Sequence, residues 1–190
     1  SVSAGIESQP VEKISQSAIR TTSKGKDYVL LDQLNMRRGS VIIFARTQYR
    51  THRVAKYLSD FGHSVTHIHG GRTLGKRNTA LQGFRAGKFR ILVATDVAAR
   101  GLDIPHISHV INYDLPLFHE DYVHRVGRTA RAGACGEALN LLVPEDNHNW
   151  LKIARKYKLT EPSGPGFAFE GFAKKPKGKG KGRHKKSKRP

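Results

Sequence analysis

From residue 11 to residue 159, short runs of apolar, often β-branched residues alternate with stretches whose apolar positions recur every three or four residues. Residues 11–20 alternate faces, as a half-buried strand does. Residues 26–36 carry Tyr28, Val29, Leu31 and Leu34 at helical spacing. Val41-Ile42-Ile43-Phe44-Ala45 is an unbroken apolar run, the pattern of a strand covered on both faces. A helix over 48–61 follows, with Val54, Tyr57, Leu58 and Phe61 on one stripe and Gly62 as its stop. The same criteria predict strands at 64–69, 91–94, 108–112 and 137–143 and helices at 74–84, 118–126 and 146–157. Alternation at this pitch predicts an α/β fold: a mostly parallel sheet with helices on both faces, three layers in all.

The pattern is absent at the two ends. Residues 1–10 are small and polar and read as a linker, 11–160 as one domain, and 161–190 as a low-complexity basic tail. The tail opens on turn-forming residues and an aromatic cluster, Phe167, Phe169 and Phe172. Composition then sharpens the picture. The 190 residues hold 34 Lys and Arg against 15 Asp and Glu, a net charge of +19, which points to a polyanionic partner. Ten of the basic residues lie in the tail, at Lys174, Lys175, Lys177, Lys179, Lys181, Arg183, Lys185, Lys186, Lys188 and Arg189. Residues 1–173 keep 24 basic residues against 15 acidic, or +9. The tail is expected to be disordered when free and to bind RNA phosphates as a flexible arm, against the plainer reading of a solubilising end. One cysteine, Cys135, excludes an intrachain disulfide and points to a reducing, cytoplasmic compartment. The apolar runs are too short for a bilayer, and the start shows neither a signal peptide nor an initiator Met, as in a piece of a longer chain.

In a parallel sheet, ligands sit beyond the carboxyl ends of the strands. The segments following the predicted strands read Arg46-Thr47-Gln48, His69-Gly70-Gly71-Arg72-Thr73, Thr95-Asp96 running on to Arg100-Gly101-Leu102-Asp103, and Asn112-Tyr113-Asp114. Arg, Thr, Gly and Asp suit phosphates and sugar hydroxyls: glycine admits close backbone approach, and a carboxylate accepts from ribose. In 124–133, Arg125, Arg128 and Arg131 recur every third residue, Gly127 and Gly133 weaken the helix around them, and Glu120 and Asp121 are the nearby acids. A solvated helix face is the bland reading; the glycines and the shortage of acids favour guanidinium groups aimed at a phosphoryl group. His67 and His69 share a strand face without an evident third ligand, so no metal site is expected. Cys135 reads as a small packing residue, and Trp150 as an anchor for the last helix.

These segments also carry a resemblance. His124–Gly133, His-Arg-Val-Gly-Arg-Thr-Ala-Arg-Ala-Gly, resembles motif VI of the DEAD-box RNA helicases, a superfamily 2 group, and its opening His favours that group over those that begin with Gln. Residues 93–104, Val-Ala-Thr-Asp-Val-Ala-Ala-Arg-Gly-Leu-Asp-Ile, resemble motif V; 41–48 are similar to motif IV, and 112–116 to the intervening Asn-Tyr-Asp-Leu-Pro segment. The four matches fall in the family's order across about residues 11–157. The resemblance implies a RecA-like fold, the second of two such domains, with ATP in the cleft between them and RNA across both. It implies arginine fingers at Arg128 and Arg131, nucleotide contacts at Gly101 and Asp103, and interdomain contacts at His124 and Arg125. Arg46, Thr47, Gly70, Arg77 and Thr95 would line the RNA backbone.

Three positions depart from the family pattern. Leu74 stands where a Gln is usual, Gly71 where an Asp is usual, and Ala130 where a Gly is common. The sequence holds no GxxxxGK[ST] loop, no Asp-Glu-Ala-Asp and no adenine-reading motif. ATP with Mg²⁺ is therefore expected to be bound mainly by the N-terminal RecA-like domain of the same protein, and this chain alone to be a monomer without ATPase or unwinding activity. RNA and that domain are the expected partners, with no membrane. The alternatives are an autonomous RNA-binding module without catalytic role and a DNA-directed relative.

Overall fold

The computed structural model describes residues 14–104, 107–129, 135–160 and 162–163. The linker at 1–10, the first three residues of the strand expected at 11–20, Ala130, Arg131, the three tail phenylalanines and the basic tail lie outside the described residues. The strands are β1 (Ile14–Arg20), β2 (Val41–Phe44), β3 (Val65–Ile68), β4 (Ile91–Ala94), β5 (His109–Asn112) and β6 (Gly136–Leu142). The helices are α1 (Lys26–Met36), α2 (Gln48–Asp60), α3 (Leu74–Arg85), α4 (Asp96–Ala99), α5 (His119–Val126) and α6 (Asn147–Tyr157), the last entered through a single 3-10 turn, Pro144–Asp146. The six strands form one sheet in the order β1-β6-β5-β2-β4-β3, and every neighbouring pair is parallel.

The apolar runs explain the order. β2 and β4, Val-Ile-Ile-Phe and Ile-Leu-Val-Ala, are buried at every position and lie side by side within the sheet, whereas β3 alternates and takes the edge. Leu30 and Leu34 of α1 and Val54 and Leu58 of α2 cover one face through Val41, Ile43, Val93 and Ile111. Leu81, Phe84, Tyr122, Val126, Trp150 and Ile153 cover the other, against Ile42, Phe44, Leu92 and Val110. This is the expected three-layer α/β/α arrangement, with Trp150 seating α6 as anticipated.

Three details differ from the sequence reading. The buried stripe of α1 is Lys26-Leu30-Leu34 at i, i+4, i+8, which turns Tyr28 outward, and Phe61 likewise faces solvent. Cys135 is exposed rather than packed. Residues 96–99, after β4, lie outside the predicted helices but form α4, a single turn whose first residue, Asp96, is held by the Arg125 side chain.

One close approach fixes the end of α5 to the start of β6. Thr129, fully buried, donates its hydroxyl to the carbonyls of Ile107 and Ser108. A Cβ on Gly136 would lie 2.0 Å from the Thr129 Oγ1. Gly136→Ala is expected to lower stability by about 1–3 kcal/mol, since neither neighbour can yield; an unchanged urea midpoint would show that the contact is soft.

Candidate functional site

The strand register aligns the loops. Phe44 and Ile68 both pair with Ala94, so Arg46-Thr47, Thr95 and His69-Gly70 leave β2, β4 and β3 at one level. Thr47 caps α2 by accepting the Arg50 N–H at 3.1 Å, and the Thr51 hydroxyl donates to its carbonyl at 2.8 Å. The Thr95 N–H donates to the Ile68 carbonyl at 3.4 Å, tying two of the loops together. Thr73 caps α3 in the same manner as Thr47, and Arg77 lies in that helix's first turn. Arg46, Thr47, Gly70, Thr95 and Arg77 thus collect along one end of β2, β4 and β3.

A residue that the sequence did not single out belongs to this edge. The Gln48 carboxamide lies over the turn after β3: a Cβ on Gly71 would stand 2.5 Å from its Oε1, and one on Gly70 3.3 Å from its Nε2. The Gly at 71, where the family has Asp, is what leaves room for it. The only available signal was the pairing of that departure with an amide just after Thr47.

Gly101, Asp103 and Arg128 form a second group, and it does not sit on that edge. Arg128 donates to the Leu102 carbonyl at 3.0 Å, and Arg85, the last residue of α3, donates to the Asp103 carbonyl. Thr129 reaches the residues that lead into β5. The segment after β4 therefore carries the chain away from the carboxyl edge, which corrects the expectation of a single site beyond the strand ends. Gly101 makes the turn at φ +72°, a left-handed conformation that disfavours any side chain. Arg100 and Asp121, 3.1 Å apart, tie this segment to α5. Arg131 lies outside the described residues.

His124 and Arg125 part company. His124 is exposed; Arg125 is 2% exposed and bonded wholly within this domain. Its Nε and Nη2 grip both oxygens of Asp96 at 2.6 Å, and its Nη1 donates to the Asn112 Oδ1 at 2.9 Å and the Asp114 carbonyl at 2.6 Å. The guanidinium also lies 5.0 Å from the Phe44 ring centroid. The polar chain continues: Asn112 donates to Asn140 at 2.8 Å, Asn140 to Ser17 at 3.0 Å and Tyr122 at 3.2 Å, and Tyr122 to Gln16 at 2.7 Å. The acid partner of Arg125 is thus Asp96, not the neighbouring Glu120 or Asp121.

A cleft of about 510 Å³ opens where β2, β5 and β6 end. Asp114 lies on its floor, 2% exposed, accepting from Lys26 at 3.2 Å, Arg50 at 2.5 Å and the Arg46 N–H at 2.9 Å. Burial alone would raise its carboxyl, but Lys26, the Arg46 N–H and Arg50 together hold it below the ordinary range. Asp27, Arg53 and Tyr113 close a second polar ring, with Arg53 to Asp27 at 2.5 and 3.0 Å and the Tyr113 hydroxyl donating to Asp27 at 2.7 Å. Burial pushes the Tyr113 phenol up and the bond to Asp27 adds to it. Asp146 faces the same space and is raised by burial, only partly opposed by the Val143 N–H. Lys26 and Asp27 escaped the sequence reading because they belong to no motif and act on residues almost ninety positions away.

His52 adds a third ring to His67 and His69, with centroids 5.2 Å from His67 and 5.5 Å between the latter two. Among the described residues no three potential ligands are arranged to hold a metal.

The family described as helicase conserved C-terminal domain matches residues 25–133. An ATP-dependent rRNA helicase, rrp-3, from Neurospora crassa is 51% identical over 124 residues, covering 64% of this chain and 24% of the relative. The human probable ATP-dependent RNA helicase DDX47 is 45% identical over 146 residues, 76% of this chain and 32% of the relative. The chain thus spans 24% and 32% of these two curated relatives. Among solved structures, the E. coli DEAD-box protein SrmB, bound to regulator of ribonuclease activity A, superposes with a TM-score of 0.72 at 38% identity, over 78% of this chain and 88% of that one. The C-terminal domain of the DEAD-box protein Dbp5 gives 0.73 at 32% identity, over 80% and 90%.

Two expectations follow from the buried charges and rings. Asp96→Asn leaves the Arg125 guanidinium buried without its counter-ion and is expected to cost about 3–5 kcal/mol. Adding Arg125→Met should recover part of that loss in urea denaturation; strictly additive losses would show the pair is not coupled. Burial, with Arg72, His52 and His69 adding to it, pushes His67 down to about 4, and burial also lowers His69 and His63. Below pH 6.5 the unfolded chain takes up protons that the folded chain refuses, so stability should decline from about pH 6.5 towards pH 4. His67→Gln should flatten that decline in melts run across the interval.

Proposed function

Because the chain belongs to the helicase conserved C-terminal domain family, and within it to the DEAD-box superfamily 2 helicases with their RecA-like fold, we propose that it is the C-terminal half of an ATP-dependent RNA helicase. In this reading residues 11–160 are the domain and the basic end is an RNA-binding tail. The domain holds the RNA sugar-phosphate backbone along the edge formed by β2, β4 and β3. It supplies guanidinium groups to ATP held chiefly by an N-terminal RecA-like domain, and the pair unwinds short duplexes or remodels RNA–protein complexes.

The observation that carries the proposal is the path of residues 95–103. Thr95 stands on the edge with Arg46 and Gly70, and seven residues later the Leu102 carbonyl, next to Asp103, accepts from Arg128. Between them Asp96 is gripped by the buried Arg125. A rigid segment therefore joins an edge suited to RNA to a group suited to a nucleotide, which is the linkage a motor requires.

The second group fits a nucleoside triphosphate. The Asp103 carboxylate can accept from ribose hydroxyls, the turn at Gly101 offers backbone without a side chain, and Arg128 places a guanidinium beside both. ATP supplies, when bound, the phosphoanhydride whose hydrolysis drives the cycle. Arg128, with Arg131, neutralises charge on the outer phosphate, while the exposed His124 meets the opposing domain. Mg²⁺ falls to the other domain's carboxylates. Thr47 and Thr95 donate to phosphate oxygens, Arg46 and Arg77 balance their charge, and Gly70 lets the strand lie close. Backbone contact without base reading fits an enzyme indifferent to sequence, and contact with 2′-hydroxyls fits a preference for RNA.

Mixed with the N-terminal RecA-like domain, the chain should show RNA-stimulated ATP hydrolysis. Arg128→Ala should lower kcat by about 10³-fold or more while RNA affinity stays within about twofold. Full turnover by the Arg128 variant would sink the finger assignment, and steady turnover by this chain alone would sink the reading that it needs the N-terminal domain. An RNA-binding module without catalytic role predicts no gain on mixing.

A further inference from the structure

The cleft above Asp114 lies at a particular place in the topology. β2 and β5 are neighbours, yet the chain leaving β2 runs through α2 on one face of the sheet and the chain leaving β5 runs through α5 on the other. The α2 connection leads towards β3 at one end of the sheet, while α5 leads towards β6 at the other side. The two loops separate, and the space between them is where open parallel sheets bind ligands. Neither the RNA edge nor the nucleotide group described above occupies it, although Arg46 borders both the cleft and the edge. Its volume of about 510 Å³ is that of a small-molecule site.

The walls are unlike one another. On the α2 side, Lys26 and Arg50 share one carboxylate, Asp114, so that corner keeps excess positive charge. Arg46, exposed beside them, donates to the Leu115 carbonyl and so keeps its own charge. Glu145 and Asp146 stand on the opposite side, in the turn after β6. At the rim Tyr49, in the first turn of α2, presents its ring 75% exposed. An anion is favoured on one wall and hydrogen-bond donors on the other, with an aromatic face beside them. One chemical unit carries a phosphate, hydroxyl or amino donors and a flat ring together.

We propose that this cleft is a second nucleotide subsite, in which a nucleoside phosphate stacks its base on Tyr49, sets its phosphate against Arg46 and Arg50, and donates to Glu145. The unit is either the next residue of an RNA strand leaving the β2–β4–β3 edge or a free nucleotide; the chemistry is shared. Stacking on an exposed tyrosine makes the subsite tolerant of sequence.

The test is an NMR titration of the ¹⁵N-labelled 190-residue chain with AMP, with a ten-residue oligouridylate and with inorganic phosphate. Shifts in Arg46–Arg50 and in Tyr113 and Asp114 are expected. Tyr49→Ala, which alters only an exposed ring, should weaken the response about 5- to 100-fold. A response to AMP identifies a site for free nucleotides, and a response to the oligomer alone identifies a strand-bound subsite; both support the proposal. Equal shifts with inorganic phosphate that survive Tyr49→Ala mean an adventitious ion only and overturn it, as does silence at these residues. Arg77→Ala, remote from the cleft lining, keeps the two readings apart. If it weakens oligomer binding and Tyr49→Ala weakens neither AMP nor oligomer binding, the RNA edge stands and the subsite falls; if only Tyr49→Ala weakens binding, the subsite stands and the edge falls.

Discussion

A single buried guanidinium holds the working parts of this domain in register. Arg125 hangs from α5 into the sheet, takes both oxygens of Asp96 at the start of α4, and bonds Asn112 at the end of β5 and the carbonyl of Asp114 in the following loop. Through Asn112, Asn140 and Tyr122 the same network reaches β6 and β1, and Phe44 of β2 lies against the cation. Placing that charge inside is costly, and the cost is offset only because its donors meet acceptors of fixed geometry. A lysine could not satisfy them, having no planar fork to span Asp96 and Asn112 together.

The consequences reach the surface. α4 is too short to persist by itself, since a single turn has not repaid the entropy of its own nucleation. Asp96 ties its first residue to the core, and so fixes Thr95 before it and the turn at Gly101 after it. The β2–β4–β3 edge and the group around Gly101 and Arg128 are therefore two ends of one clamped segment. Asp114 acts in the same way on the other side of Arg125: its carbonyl accepts from that guanidinium, and its carboxylate gathers Lys26, Arg50 and the Arg46 amide. Two neighbouring strands thus end in loops whose positions are set from inside the protein, leaving the side chains beyond them to meet ligands.

Most of the fold was legible because parallel strands buried on both faces leave long apolar signatures. Ile91–Ala94 and Lys26–Met36 fall where the residue pattern puts them, the other expected elements differ by a residue or so at the ends that the structure describes, and α4 is the helix the pattern did not give. Placement of the edge residues was legible for a related reason: Arg46, Thr47, Gly70 and Thr95 each follow a strand directly, so the register alone brings them together. What escaped was distant pairing. Nothing local in the run Arg125, Arg128, Arg131 marks Arg125 as buried, because the partner that draws it inward lies 29 residues back. Lys26 and Asp114, His52 and His67, and Gln48 and Gly71 were hidden likewise. Cys135, expected to pack, is exposed, since a small apolar side chain is compatible with either environment and only tertiary packing decides.

The same pairing changes what the net charge means. A surplus of cations predicts a polyanion, but several of the arginines in the described domain bond the protein itself. Arg90 satisfies the carbonyls of Leu34, Arg37 and Gly39 at the end of α1, Arg53 is matched to Asp27, and Arg125 is interior. Such groups add to the long-range field yet cannot turn to a ligand without dismantling a helix end or a loop. Affinity for a polyanion and the place where it is gripped are then separable properties. The first belongs to the whole charge, including a tail that carries ten of the basic residues. The second belongs to those cations whose neighbours leave them a donor and a path to solvent, and on this domain Arg46 and Arg50, standing between the β2–β4–β3 edge and the cleft, meet that condition.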